Sequence, residues 1–162
     1  MLRMSVRPRG LKEWIARLEG AKDRASAAAA TALGAKLGDL VLYIRSEKLS
    51  GQVLNRRTGA LSDSIGSEVT STTFPIRGAV FSRGVKYAAI HEYGGTTAPH
   101  VIMAKNAQAL AFMMDGKMVF RRMVNHPGSV MPERSYMRSS VAENLNEITF
   151  AVRSAIIGAL TQ

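Results

Sequence analysis

From Leu11 onward the residues Leu11, Trp14, Ile15, Leu18, Ala25, Ala29, Leu33, Leu37, Leu40 and Ile44 recur at helical spacing on one slowly drifting stripe. Alanines around Ala27–Ala30 favour helix, whereas Gly20, Gly34 and Gly38 weaken it, and Gly20 is a candidate break. An unbroken helix from Leu11 to Leu49 would be roughly 57 Å long at about 1.5 Å per residue. A compact chain of this size has a radius of gyration of only about 15 Å. Such a helix overhangs its own domain and needs something else to lean on. That constrains the fold more than any other feature of the chain.

A second helical stripe closes the sequence. After Pro132, suited to a first helical turn, the residues Met137, Val141, Leu145, Ile148, Val152, Ile156 and Ala159 repeat every three to four positions. Phe150 and Ile157 lie nearly opposite, and two aligned large apolar residues on a wet face suggest a second contact. Between the helices the pattern is that of strands. Glu68–Phe74 and Ile76–Arg83 read as a hairpin around Pro75. Tyr87–Tyr93 reads as one or two helical turns ended by Gly94-Gly95. Leu110–Met114 and Lys117–Val124 flank Asp115-Gly116, the pair typical of a two-residue hairpin turn. Asn125–Met131 is expected to be a loop. The expected fold is α+β in a single domain, residues 1–162. It has a basic arm (1–10), a long helix (11–49), a β-rich core (58–131) with a small, mainly antiparallel sheet of about four to five strands, and a C-terminal helix (132–160) packed on the sheet.

Charge narrows the partners. The chain has 22 Lys and Arg against 12 Asp and Glu, a net charge of +10, with 46% hydrophobic residues. The hydrophobic content is globular, so the excess points to acidic or nucleic-acid partners instead of disorder. No uninterrupted apolar run reaches the ~18 residues of a membrane span, and the basic N-terminus lacks the apolar core of a signal peptide. There is no cysteine, which excludes disulfides, thiolate metal sites and Cys nucleophiles.

Positive signs of catalysis are missing. His91-Glu92 starts like the helical zinc-protease motif, but the position of the second ligand is Gly95. His100 and His126 sit beside prolines in expected loops. Together with His91 and Glu92 they are expected to form no metal site, and no cofactor is expected. No nucleophile elbow or phosphate-binding loop occurs. Arg56-Arg57 and Arg121-Arg122 are candidates for facing DNA or an acidic surface.

Four stretches carry a resemblance. Thr58-Gly59-Ala60-Leu61-Ser62-Asp63-Ser64-Ile65 resembles the Thr-Gly-x-Leu-x-x-Ser-Ile segment of the tail-completion proteins of tailed bacteriophages, the family of lambdoid minor tail protein Z and its relatives in Mu-like phages. Tyr87-Ala88-Ala89-Ile90-His91-Glu92-Tyr93-Gly94 is similar to that family's Tyr-Ala-x-x-x-Glu-(Phe/Tyr)-Gly element. Leu110-Ala111-Phe112, Gly116, Val124 and His126-Pro127-Gly128 resemble its later hairpin and His-Pro-Gly loop. Pro132-Glu133-Arg134-Ser135-Tyr136-Met137 stands where the family usually has Pro-x-Arg-Pro-Phe-Leu. Ser135 replaces the usual proline, and the N-terminal arm matches no family pattern.

The resemblance covers roughly half the chain, Thr58 to about Met137. It implies a non-enzymatic virion protein of the phage neck, at the head–tail junction, assembled in the bacterial cytoplasm. The subunit would form a homo-oligomeric ring that joins tail to head, beside tail terminator, tail tube and connector proteins, with non-specific contact to genome DNA. It also implies structural roles for Thr58, Gly59, Leu61, Ile65, Tyr87, Glu92, Gly94, His126, Pro127 and Gly128. Read from the residues, Gly34, Gly38, Phe150 and Ile157 are interface candidates. Two alternatives stand beside this expectation: a tail terminator or connector ring, and a small basic nucleic-acid-binding module.

Overall fold

The computed structural model describes residues 10–161, so all but Gly10 of the basic arm lies outside the described residues. The chain divides into two compact units, one formed by 1–85 and 136–162, the other by 86–135. The architecture is α+β, with a long N-terminal helix, small antiparallel sheets and a long C-terminal helix. The expected β-rich core is shared between the two units.

In the first unit, α1 runs unbroken over Leu11–Tyr43 and continues in wider π-helical turns over Ile44–Gln52, interrupted at Gly51, whose φ is 134°. Gly20 does not break it; one glycine costs only about 1 kcal/mol, and the alanine-rich stretch after it holds the helix. Helix α2 is short, Ala60–Ser64. Strands β1 (Ile65–Ser71) and β2 (Arg77–Ser82) form an antiparallel hairpin, register Ile65↔Ser82 through Val69↔Gly78, with Phe74-Pro75 cis in its turn. The unit ends with α4, Met137–Leu160.

Helix α4 lies antiparallel along α1. Lys36 Nζ meets Glu147 Oε1 at 2.6 Å, Tyr43 donates to Glu143 at 2.6 Å, and Arg24 Nε donates to the Ala159 carbonyl at 3.5 Å. The core joins Leu37, Leu40, Val41 and Ile44 to Leu49, Leu54, Ile65 and Tyr136, with Leu33, Leu61, Val69, Val80, Met137 and Ile148 around it. The hairpin is seated by Gly78, where a Cβ would fall 2.4 Å from Leu37 Cδ1. Small size at this position lets β2 lie directly on α1.

The packed side of α4 is rotated from the stripe expected. Met137, Ser140, Ile148, Val152, Ile156 and Ala159 are buried or half-buried, but Val141 and Leu145 are exposed. The helix also starts at Met137, not near Pro132.

The second unit holds α3 (Ala88–Tyr93) and six short strands, β3 (Gly95–Thr96), β4 (His100–Met103), β5 (Leu110–Met114), β6 (Lys117–Arg121), β7 (Met123–His126) and β8 (Val130–Met131). They pair antiparallel as β3–β8, β4–β7 and β5–β6. The register Gly95↔Met131 continues without shift into His100↔His126 and Met103↔Met123. The unit is therefore one long, interrupted ribbon with its tip at Asp115-Gly116, whose φ values of 50° and 76° suit the expected turn. Asn125–Met131, expected as a loop, supplies the end of β7 and all of β8.

Candidate functional site

The residues of the motifs at 58–65, 87–94 and 126–137 make their contacts within each unit. In the first unit, the Arg56 guanidinium lies beneath Gly59, where a Cβ would meet Arg56 Nη2 at 2.8 Å, and Arg56 also stands 3.8 Å from Asp63 Oδ1. Arg56 is thus engaged within its own turn, whereas Arg57 is simply exposed. Thr58 Oγ1 accepts from the Ala60 N–H at 3.4 Å. Leu61 is half-buried, and Ile65 is fully buried at the start of β1.

In the second unit, Glu92 is only 2% exposed and accepts a hydrogen bond from Ser135 Oγ at 2.8 Å. The serine that departs from the family's proline therefore donates to the motif's carboxylate. Arg134 N–H donates to the His91 carbonyl at 2.8 Å, which ties the end of the ribbon to α3. Tyr87 stands edge-on to the His91 ring at 5.8 Å. Gly94 approaches the backbone of Met131 and Glu133, where a Cβ would come within 2.8 Å of the Glu133 nitrogen. Gly128 has φ 92°, and a Cβ there would overlap the Thr97 carbonyl oxygen at 2.1 Å. A glycine is needed at that turn on both counts.

The histidines arrange themselves in a way the sequence did not suggest. His100 and His126 are cross-strand partners with ring centroids 5.0 Å apart and nearly parallel planes. Each uses Nδ1 locally: His126 accepts from the Gly128 N–H at 3.0 Å, and His100 meets the Ala98 carbonyl at 3.1 Å. His91, in α3, has its Nδ1 buried without a hydrogen-bond partner among the described residues. Among the described residues no three His, Asp or Glu side chains converge as metal ligands would.

The chemistry on offer is that of surfaces. Leu11, Trp14, Ile15 and Leu18 form one exposed face on the first turns of α1. Phe150 is 72% exposed, with Ile157 and Leu160 further along the same helix. Gly34 touches Val69 of its own hairpin, and Gly38 has open space where a Cβ would stand. The ribbon has its own apolar face: Met113 pairs with Met118, Ala111 with Phe120, and these side chains alternate onto one side. Met113, Met118 and Phe120 are all exposed, as is the cross-strand pair Met103 and Met123. Arg121 and Arg122 are exposed beside this face.

The ribbon face went unnoticed in the sequence, although Met113-Met114, Met118 and Met123 crowd into eleven residues there. By length and composition Leu11–Gln52 also meets the requirement of a membrane span, a property that core helices share. Comparison with known protein families, curated proteins and solved structures found no match.

Proposed function

We propose that this chain is a structural subunit of a phage neck, a ring-forming tail-completion protein that joins tail to head. The four stretches from Thr58 to Met137 support the reading by resemblance. The observation that carries it is the amount of apolar surface left uncovered. Among the described residues, large apolar side chains stand exposed on α1 (Leu11, Trp14, Ile15, Leu18), on α4 (Phe150, Ile157, Leu160) and on the ribbon (Met103, Met113, Met118, Phe120, Met123). An assembly subunit buries such surface against neighbours, and mutually complementary, non-identical patches close into rings when the rotation allows.

The positive charge suits a ring around a DNA passage or docking on acidic neighbours. Electron microscopy of purified particles, with mass spectrometry of their protein content, tests the reading. The chain should be found at the head–tail junction in a fixed number of copies. Particles that join heads to tails normally without this chain would end the proposal. Steep, salt-dependent binding of free duplex by a monomer would favour the nucleic-acid module instead.

A further inference from the structure

Two apolar stripes of the first unit match each other. Every residue from Leu11 to Glu19 is exposed, because α4 ends at Leu160 and its terminal contact reaches only Arg24 of α1. At about 1.5 Å per residue, α1 runs on for roughly 20 Å past that contact. Leu11 and Leu18 stand seven residues apart on this overhang, with Trp14 and Ile15 between them. Phe150 and Ile157 stand seven apart on α4, with Arg153 and Ser154 between them. Residues at i, i+3, i+4 and i+7 are the four that border a hole in knobs-into-holes packing. Phe150, Arg153, Ser154 and Ile157 are such a set, and the small Ser154 leaves room for a large knob.

The charges also correspond. Arg153 has no ion-pair partner among the described residues, and neither does Glu19, which borders the overhang's apolar stripe beside Ile15. A guanidinium at the rim of the hole would meet the Glu19 carboxylate along one edge of the incoming helix, and its face would lie against an indole. The overhang cannot reach its own hole, since the two helices run antiparallel and the overhang points away from α4's end.

We infer that the overhang of one copy, with Trp14 as the knob, packs on the Phe150–Ile157 face of α4 in a second copy. The contact joins two different patches, so it is head-to-tail and propagates into a ring or filament, not a closed pair. This inference rests on the ring-forming reading and names the contact that builds the ring.

The test uses two full-length variants, Trp14→Ser with Leu18→Ser and Phe150→Ser with Ile157→Ser, analysed by native mass spectrometry. The unmodified chain should form higher oligomers. Each double variant alone should be monomeric, with at least a tenfold rise in the dissociation constant. Mixed together, the two should give 1:1 heterodimers and nothing larger, because one intact overhang meets one intact hole. Oligomers of unchanged mass in both variants, or a mixture that stays monomeric, would overturn the inference.

A charge pair guards against misfolded variants, since all the residues involved are exposed. Arg153→Glu should weaken assembly, and adding Glu19→Arg should restore it; failure of that rescue also counts against the contact. The two proposals separate cleanly. Heterodimers from a chain that is missing from the neck would sink the virion reading alone, and neck rings built from both double variants would sink this contact alone.

Discussion

Lys48 Nζ lies 2.8 Å from Glu143 Oε1, with the lysine side chain only 6% exposed and the carboxylate nearly half in solvent. Tyr43 completes the arrangement: its hydroxyl donates to the other carboxylate oxygen at 2.6 Å, and its ring lies 5.6 Å from the ammonium. The hydrogen bond from Lys48, then that from Tyr43, holds the Glu143 carboxyl below its ordinary value of 4.5. The hydrogen bond to Glu143 raises the Tyr43 hydroxyl above 10.0 and Lys48 above 10.5. A lowered acid contributes stability above its ordinary value and loses it as pH falls through its folded one. Raised groups contribute below their ordinary values and lose that contribution as pH rises through their folded ones. The cluster should therefore stabilise the fold fully between about pH 4.5 and pH 10, from those ordinary values. Thermal melts of Glu143→Gln against the unmodified chain should differ by several degrees in that window and converge outside it. Lys48→Met should be milder than Glu143→Gln, because only the latter strands a buried charge. Equal effects would show that the pair is no more than a surface contact.

Two glycines should respond in opposite directions to the same substitution. A Cβ on Gly78 would lie 2.4 Å from Leu37 Cδ1 and 3.3 Å from the Glu68 carbonyl oxygen. Gly78→Ala should therefore cost about 1–3 kcal/mol as β2 is pushed off α1. Gly38 sits within α1 with nothing inside 4 Å of a Cβ. Gly38→Ala should raise stability by about 0.5–1 kcal/mol through reduced backbone freedom in the unfolded chain. Chemical denaturation of the two variants measures both effects, and a stable Gly78→Ala would contradict the seating of the hairpin.

What the sequence disclosed and what it hid divide along physical lines. Local periodicity was enough for α1, for α3 and for the β5–β6 hairpin, where a side-chain stripe or a turn dipeptide lies within a few residues. Pairings set by distant partners were hidden. His100–Met103 carries no turn signal that announces a strand, and it becomes one because Met123–His126 lies alongside. Residues 132–136 stay outside α4, since Ser135 donates to Glu92 and Arg134 to the His91 carbonyl. The Lys48–Glu143 pair spans 95 residues. At the candidate surfaces, the exposure of Phe150 and Ile157 was legible from helical angle alone. The rotation that also exposes Val141 and Leu145 was not, because it depends on α1 being the neighbour.

The arginine pairs should separate folding from docking. Arg57, Arg121 and Arg122 are exposed, and Arg56 makes only a solvent-exposed pair with Asp63. Such charges contribute about 0–1 kcal/mol each to stability. Changing each pair to glutamate should leave the melting midpoint within a few degrees while lowering the yield of joined particles. On duplex DNA at low salt, each pair lost should reduce the slope of log affinity against log salt by about 2. Unaltered joining and an unaltered slope would together remove these arginines from any docking role.

Trp14 is the chain's one tryptophan and is 63% exposed at the tip of α1, so it reports on the overhang without a label. In dilute solution its indole is in water, and its emission should be red-shifted and readily quenched by acrylamide. As concentration rises through the assembly range, the indole should enter the hole between Phe150 and Ile157 of a neighbouring copy. Emission should then shift to the blue and quenching should fall severalfold, in step with the oligomer fraction seen by light scattering. Burial of a side chain of this size is worth roughly 1.5–3 kcal/mol, so Trp14→Ala should weaken each contact by one to two orders of magnitude without altering the melting midpoint of the dilute chain. The Phe150→Ser, Ile157→Ser variant, which keeps Trp14, should show neither the shift nor the protection at any concentration. If oligomers form while the emission stays red and fully quenchable, the overhang lies outside the contact and the ring must close through other surfaces, of which the exposed Met113–Met118 face is the next to test.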